Sequence, residues 1–272
     1  MSLSLEDFNH IRALVEARSA IMLDSDKSYL AETRLFTLAR REGFDSPTAL
    51  VARLRSQPSD SLQQMVVEAI ATNETSFFRD VHPFDSLRQE VLPTLLRSRP
   101  CGDIQVWCAA CSSGQEPYSI AILLQEHFAP PDKGRVRLLA SDLSTEMLER
   151  AREGRFNQFE VERGLPPAYL TRYFVKRGVE WQLDERVRRM VDFRQINLND
   201  TWPTLPILDV ILLRNVLIYF DVAVKKQILA KVRQVLRPNG YLFLGGAETT
   251  LYLDDAFERG QVGRTSCYRL RP

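Results

Sequence analysis

The sequence predicts an α/β fold in which a mainly parallel sheet, with helices on both faces, follows an all-helical N-terminal domain. Three observations support it. Residues 1–99 show only helical periodicity, whereas from residue 100 short apolar runs alternate with helical stretches. Between residues 173 and 193 this alternation gives way to short strands separated by charged residues. That break predicts a small antiparallel β-subdomain inserted into the larger sheet.

The N-terminal region is predicted to be a helical domain over residues 1–72, followed by a linker and one more helix over residues 73–99. Its helices show the usual start signals, a serine cap or a proline in the first turn. In chain order they are a helix capped by Ser4, residues 29–41, a helix opened by Ser46-Pro47, residues 62–70, and a helix that follows Pro83.

Residues 100–272 are predicted to form the sheet domain. Its strands are expected at residues 104–108, 136–142, 208–213, 241–244 and 266–270. Helices are expected at residues 116–128, after a cap at Ser144, and at 222–236, the last ending at Pro238-Asn239-Gly240. Residues 174–175, 181–183 and 190–193 are assigned to the β-subdomain. The strand at 208–213 is apolar enough to be buried on both faces, as in parallel sheets.

The composition argues against several classes of protein. Of 272 residues, 44% are hydrophobic and 26% charged, and the formal net charge is +1. A general nucleic-acid binder would usually carry a strongly basic face. No apolar run reaches the roughly 20 residues of a membrane span, and the first residues do not resemble a signal peptide, so the expected location is the cytoplasm. Four cysteines are too few for a disulfide scaffold in a chain of this length.

The most informative stretch is a strand that runs through small residues into a helix, VWCAACSSGQEP at residues 106–117. Small residues let a ligand approach the backbone, and a helix N-terminus offers N–H groups to an anion. The next strand ends at Asp142, where a carboxylate can meet ribose hydroxyls. The pattern favours nucleotide binding, with an ordinary βα turn as the alternative because no strict glycine fingerprint is present.

Metal and thiol chemistry receive little support. Cys108 and Cys111 form a C-x-x-C pair, but a zinc site requires four ligands and the sequence offers no second pair. A redox pair is an alternative, although small apolar fillers of a tight turn are the favoured interpretation. His10, His82 and His127 are scattered. No metal is therefore predicted.

Two further segments attract attention by their position. Residues 73–80 lie between the helical part and the sheet, where a loop could cover a ligand cleft or serve only as a linker. Arg214 and Asn215 follow the most buried strand, at the edge where α/β folds do chemistry, although they could simply cap the next helix. Arginines within residues 34–55 indicate a solvated face or a surface for an acidic protein partner.

Together these stretches resemble the chemotaxis receptor methyltransferases of the CheR type. The matching motifs are NETSFFR at 73–79, WCAACSSGQEPYSIA at 107–121, SDL at 141–143, NL at 197–198 and RNVLIYF at 214–220. The resemblance covers nearly the whole chain. It implies a class I methyltransferase (Rossmann-like) sheet with an all-helical N-terminal domain and an inserted β-subdomain. It also implies S-adenosylmethionine as cofactor and methylation of glutamates in the cytoplasmic domains of methyl-accepting chemotaxis receptors.

The resemblance also implies roles for individual residues. Tyr219 matches the tyrosine near the transferred methyl group, and Arg79 is expected to act both in catalysis and in cofactor binding. Gln115 stands where many relatives have a second glutamate. The segment at residues 34–41 corresponds to the basic helix thought to meet receptors. The implied cofactor contacts are Asn73, Thr75, Arg79, Glu116, Asp142, Asn197, Leu198, Arg214 and Asn215.

Members of that family that use a receptor's C-terminal pentapeptide grip it as an added strand beside a glycine-containing loop of the β-subdomain. Here the corresponding span, residues 176–186, looks short, with one glycine and several charges. Charge on an exposed edge strand discourages strand addition. No pentapeptide tether is therefore expected.

A glutamate carboxylate is already ionised at pH 7, so methyl transfer to it requires no general base. The protein then acts by proximity, alignment and exclusion of water. Two rival classes stay open. One is a methyltransferase for another nucleophile, such as a small-molecule hydroxyl or an RNA base, and the other is a non-catalytic S-adenosylmethionine-binding signalling module.

Overall fold

The computed structural model describes residues 3–24 and 28–271, and it begins with a bundle of short helices. These are α1 (Leu5–Ser19), α2 (Ser28–Arg41), α3 (Pro47–Ser56) and α4 (Asp60–Ile70). The hydroxyls of Ser4 and Ser46 each accept the N–H three residues on at 3.1 Å, which confirms both predicted caps. Ile11, Leu35 and Val66 are fully buried in a core of this bundle's own.

A second helical stretch leads from the bundle to the sheet. It consists of α5 (His82–Ser86), a π-helical turn (Leu87–Val91) and α6 (Leu92–Ser98), which follow one another directly. Pro83 lies in its first turn, as the sequence predicts. Phe84 and Leu87 are buried in the core beneath the main sheet.

The remaining chain forms two sheets. The strands are β1 (Ile104–Ala109), β2 (Val136–Asp142), β3 (Arg155–Asn157), β4 (Phe174–Arg177), β5 (Glu180–Leu183), β6 (Val191–Gln195), β7 (Leu208–Leu213), β8 (Leu236–Leu244), β9 (Phe257–Val262) and β10 (Thr265–Leu270). The main sheet has the order β6-β2-β1-β7-β8-β10-β9, and its strands are parallel except for β10, which runs antiparallel to both of its neighbours. The helices of this part are α7 (Gln115–His127), α8 (Pro130–Lys133), α9 (Thr145–Glu153), α10 (Gln158–Glu162), α11 (Pro167–Tyr173), α12 (Glu185–Arg188) and α13 (Val222–Val235).

The strand registers bring the polar strand ends to one edge. Ala109 lies beside Ser141, and Leu213 lies beside Leu244, so β1, β2, β7 and β8 all finish at the same level. Ligands of open α/β sheets bind at this carboxyl edge. Buried apolar clusters cover both faces of the sheet, which confirms the predicted fold class.

One predicted strand belongs to a different sheet. The prediction placed residues 190–193 in the β-subdomain, but Val191 pairs in parallel with Leu138 as part of β6, at the edge of the main sheet. Phe193 packs against Tyr118, with ring centroids 5.6 Å apart. The β-subdomain instead has the order β3-β5-β4 and takes its first strand from residues 155–157. A short apolar run looks the same at either sheet edge, so local pattern does not choose between them.

The end of the last long helix is also corrected. α13 ends at Val235, and β8 already begins at Leu236, so Pro238-Asn239-Gly240 lies inside the strand and does not end a helix. The pairing partners of β7 jump from Leu236 to Tyr241, which makes this segment a bulge. Strand β9 was not predicted because most of its side chains are exposed at the sheet edge.

The amino ends of the parallel strands, opposite the carboxyl edge, are held together by a buried carboxylate. Asp209, at the start of β7, is fully buried and accepts two bonds from Arg99 Nη1 at 2.8 Å each. It also accepts from Arg237 Nε and from the backbone N–H of Gln105, again at 2.8 Å.

None of the described helices is long and apolar enough to cross a bilayer.

Candidate active site

A cavity of about 880 Å³, including its open mouth, lies at the carboxyl edge of the sheet. Helical-domain residues Ser19 and Ile21 form part of its wall. The cavity brings together every residue that the sequence predicted for the site, and the contribution of each to binding or catalysis stays a prediction. These residues are Asn73, Thr75, Arg79, Glu116, Asp142, Asn197, Leu198, Arg214, Asn215 and Tyr219.

The turn between β1 and α7 is folded tightly by backbone bonds. Ala110 and Ser112 have φ angles of 55° and 51°, in the left-handed region that residues with a Cβ rarely adopt. Cys111 N–H donates to the Ser141 carbonyl at 2.8 Å, and Gly114 N–H donates to the Cys111 carbonyl at 3.0 Å. The Ser112 hydroxyl donates to the Asn73 carbonyl at 2.8 Å. The turn is thereby fastened to both the neighbouring strand and the linker.

Asp142 at the end of β2 is held by two backbone donors. Its Oδ2 accepts from Ser112 N–H at 2.8 Å, and its Oδ1 accepts from Ser144 N–H at 2.9 Å. Burial raises the pKa of this carboxyl, and the two N–H bonds partly oppose the shift. Each carboxylate oxygen can accept more than one bond, so both remain able to accept a hydroxyl of a ligand.

Arg214 is a buried clamp. Its side chain is 1% exposed, and its Nη1 contacts Glu116 Oε2 at 2.6 Å. Its Nη2 donates to Asp80 Oδ2 at 2.7 Å and to the Arg79 carbonyl at 2.9 Å. Burial raises the pKa of Glu116, and the Arg214 charge opposes that shift. Arg214 therefore ties α7 to the 79–80 loop, and its charge is already balanced within the protein.

Arg79 stands on a strained loop. Phe78, Asp80 and Val81 have φ angles of 47°, 67° and 52°. Phe78 N–H is fixed by the Ser119 hydroxyl at 2.9 Å. Strain of this kind persists only where the surroundings enforce it, and it is common at functional sites. Arg79 donates to the Glu74 carbonyl at 3.2 Å and forms no ion pair within the described part of the chain. Its charge is therefore available to an anion in the cavity.

The helical domain is hydrogen-bonded to the loops of the cavity. Asn197 Nδ2 donates to the Arg18 carbonyl at 2.8 Å, at the end of α1. Met22 N–H donates to the Tyr219 carbonyl, also at 2.8 Å. The buried carboxylate of Glu68 on α4 accepts from the Ser144 hydroxyl at 3.1 Å. Tyr219 is half-buried and lines the cavity.

Sequence reasoning missed Glu248. Its Oε2 accepts from Asn215 N–H at 2.7 Å and from Gly245 N–H at 2.6 Å, and its Oε1 accepts from Val216 N–H at 2.9 Å. A Cβ built on Gly245 would lie 2.7 Å from Asn215 Nδ2, so only glycine leaves room there. A signal was available, because Glu248 lies a few residues beyond the predicted strand at 241–244, at the same end of the sheet as Arg214.

The C-x-x-C pair plays no part in this chemistry. Cys108 and Cys111 are buried, and burial raises the pKa of both thiols well above the usual range. Since the thiolate is the reactive form, burial disfavours reaction at either thiol, and neither lines the cavity. Among the described residues, no group of histidine, cysteine or acidic side chains could hold a metal ion.

The basic segment of α2 is partly used within the protein. Arg34 donates to the carbonyls of Ile70 and Ala71, the latter at 3.1 Å. Arg41 pairs with Glu146 of α9 at 2.6 Å. Arg40 is exposed and lies over the Phe36 ring. Of the arginines in this segment, Arg40 is therefore the one whose guanidinium has neither an ion pair nor a hydrogen bond among the described residues.

The sheet is parallel except for β10, and its cavity, between a small-residue turn and a strand-ending aspartate, lies where open α/β sheets bind nucleotide ligands. Family models agree: residues 73–264 match "CheR methyltransferase, SAM binding domain", and residues 6–70 match "CheR methyltransferase, all-alpha domain". The first match identifies this part of the chain as an S-adenosylmethionine-dependent methyltransferase domain. The chain belongs to the CheR methyltransferase family, as the motifs indicated.

Full-length relatives carry the same family name. The chain is 38% identical over 276 residues to "Chemotaxis protein methyltransferase Cher2" of Pseudomonas putida, and 40% identical over 276 residues to "Chemotaxis protein methyltransferase 1" of Pseudomonas aeruginosa, with both chains of each pair fully covered. Among solved structures, the N-methyltransferase NodS from Bradyrhizobium japonicum is a distant likeness. It is 18% identical, with 71% of this chain and 99% of that chain covered and a TM-score of 0.38.

Proposed function

We propose that this protein transfers the methyl group of S-adenosylmethionine to glutamate side chains of methyl-accepting chemotaxis receptors, forming glutamyl methyl esters. The relatives' names support the receptor as substrate. The observation that carries the proposal is the single cavity in which the family's motifs converge. It offers an unpaired arginine and a half-buried tyrosine.

The residues present fit this cofactor. When bound, it supplies an electrophilic methyl group on a sulfonium. Asp142, with both oxygens already oriented by backbone donors, accepts from the ribose hydroxyls. Arg79 pairs with the carboxylate of the methionine part, a charge-assisted contact. Asn73, Thr75, Asn197, Leu198 and Asn215 enclose the remainder, and Glu116, fixed by Arg214, receives its amino group.

The acceptor carboxylate needs alignment and no general base. Transfer of the methyl group to an ionised carboxylate would give the ester and S-adenosylhomocysteine with no proton to move, so the chain's residues would need only to hold the two reactants. Tyr219 steers the carboxylate by donating its hydroxyl hydrogen. The enclosing linker and helical domain exclude water, which strengthens these polar contacts.

Tyr219→Phe tests the steering role. The variant should bind cofactor with unchanged affinity in calorimetry, because the ring still fills the wall. Its kcat should fall about tenfold, since one hydrogen bond made in the transition state is lost. A kcat equal to that of the native protein would exclude the role.

A methyl-transfer assay separates the proposed function from its rivals. Native protein, tritiated cofactor and isolated receptor cytoplasmic domains should give volatile counts that are released by base, because esters are base-labile. Counts that resist base would indicate another nucleophile, such as a small-molecule hydroxyl or an RNA base. Cofactor binding without transfer to any receptor would indicate a non-catalytic signalling module.

The remaining expectations belong to the same proposal. The protein acts in the cytoplasm, with residues 1–72 as a helical domain and residues 73–99 as a linker and helix against the cleft. It uses no C-terminal pentapeptide tether and binds no nucleic acid. The short hairpin of β4 and β5 around Gly178 supports the absence of a tether. Titration with a peptide ending in Asn-Trp-Glu-Thr-Phe tests it, and micromolar binding lost on mutating this hairpin would refute it.

A further inference from the structure

A second concavity adjoins the cofactor cavity at Arg214 and is also lined by Asp80. We call it the arginine pocket, after Arg259 and Arg264 in its wall; its volume is about 610 Å³ including open solvent. Arg214 lines both cavities, so the two are neighbours. The hairpin of β9 and β10 that carries the arginines is fixed by the Ser86 hydroxyl, which donates to the Val262 carbonyl at 2.7 Å.

The charged side chains of the arginine pocket that have no partner of opposite charge among the described residues are positive. Arg259 and Arg264 are exposed, and neither forms an ion pair within the described residues. Arg259 is oriented through Nε and Nη2 by the Ser266 hydroxyl, at 3.2 and 2.7 Å. The carboxylates of the wall are already engaged, Asp80 by Arg214 and Glu248 by its backbone donors.

Two other polar atoms of the wall residues are closed off from the arginine pocket. The Thr265 hydroxyl and the Arg214 Nε–H are buried, and neither has a hydrogen-bond partner among the described residues. The donors that a ligand in the pocket can reach are therefore the exposed guanidinium groups of Arg259 and Arg264. A carboxylate accepts hydrogen bonds from such groups, and the opposite charges strengthen them.

We propose that the arginine pocket binds a second acidic side chain of the receptor segment whose glutamate is being methylated. The inference rests on the proposed function, because it assigns the neighbour of that same acceptor. Charge complementarity selects a carboxylate, and the shared Arg214 wall places it beside the reaction site. Esterification removes the negative charge of a glutamate. The pocket therefore distinguishes a segment whose neighbouring glutamate is free from one whose neighbour already carries a methyl ester.

Steady-state kinetics with receptor cytoplasmic domains test the assignment. The Arg259→Glu/Arg264→Glu double variant should raise the KM for receptor about tenfold and change kcat less than about twofold, because rim charges act on association. Cofactor affinity should be unchanged. Arg259→Lys/Arg264→Lys keeps the charge and should restore most of the KM. Replacing a neighbouring receptor glutamate with glutamine should raise the KM of the native protein for receptor. The same replacement should leave the KM of the Arg259→Glu/Arg264→Glu variant, called the reversed variant, unchanged.

Arg97→Glu/Arg271→Glu is the matched control, since it makes the same charge change at exposed arginines outside both the pocket and the basic segment of the helical domain. A reversed variant whose KM equals that of the control would overturn the proposal. Anisotropy of a labelled acidic receptor peptide supplies an arm that needs no transfer. Peptide binding that depends on Arg259 and Arg264, without any methylation of receptor, would refute the proposed function and still support the arginine pocket as a binding site for acidic side chains. If the double variant weakens the binding of a single-stranded RNA of the same charge as much as that of the peptide, the pocket is assigned to nucleic acid instead.

Discussion

Glu248→Gln tests whether the turn after β7 is positioned by a carboxylate that the family motifs do not include. Glutamine has the same shape but offers one acceptor oxygen in place of two. If that oxygen replaces Oε2, it keeps the bonds from Asn215 and Gly245, and the amide NH₂ then faces the N–H of Val216. The opposite orientation loses two bonds.

The expected cost follows from this count. Losing one charge-assisted bond and leaving one buried N–H unsatisfied destabilises the fold by about 2–3 kcal/mol. For a chain of this size that lowers Tm by about 4–10 °C. The same turn leads to Tyr219, and a displacement of about 1 Å near the reacting groups costs up to about a hundredfold in rate. We therefore expect kcat to fall by about 10- to 100-fold.

Thermal unfolding and the tritiated-methyl assay measure the two effects on the same preparation. Glu258→Gln is a suitable control, because it makes the same chemical change on the exposed edge strand β9. It should leave Tm and kcat unchanged. The reasoning about Glu248 is refuted if Glu248→Gln behaves like this control in both assays.

Three further outcomes are expected. Asp142→Ala should weaken cofactor binding at least tenfold in calorimetry. Burial raises the pKa of Asp142, so on acidification the affinity of the native protein should begin to decline above the ordinary carboxyl range near pH 4, and Asp142→Asn should flatten that decline. Asp209→Asn should lower stability by about 2–3 kcal/mol in urea titrations with native cofactor affinity, because two partly exposed arginines far from the cleft lose their charged acceptor. Arg41→Glu should change stability by less than about 1 kcal/mol, since its pair with Glu146 is exposed, and a larger loss would mean that this contact holds the helical domain in place.

Most of the fold, and the set of residues that line the cavity, could be predicted from the sequence because both depend on local pattern. Serine caps, a proline in a first turn and the apolar strand β7 are readable from a few adjacent residues. The convergence of the motifs follows from one topological rule, that parallel strands end at the same edge. Asp142 was found in this way without any knowledge of its hydrogen bonds.

The errors arose where long-range pairing decides the structure. Val191 joins the main sheet because β2 has a free edge for it, and nothing in its neighbours encodes that partner. Pro238 looks like a helix stop, yet the bulge in β8 accommodates it. The clamp of Arg214 links residues far apart in sequence, so its internal charge balance could not be read from the RNVLIYF motif.

The turn between β1 and α7 has a consequence for which metabolites the cleft admits. In dinucleotide-binding folds the corresponding amides stay free and hold a pyrophosphate. Here the N–H groups of Cys111, Ser112 and Gly114 are already bonded within the protein, and Ser112 gives its N–H to a carboxylate. A pyrophosphate at this turn would find none of these three N–H groups free and would lie beside the carboxylate of Asp142. We therefore expect ATP and NAD, which share the adenosine but carry phosphates, to compete poorly for the cleft.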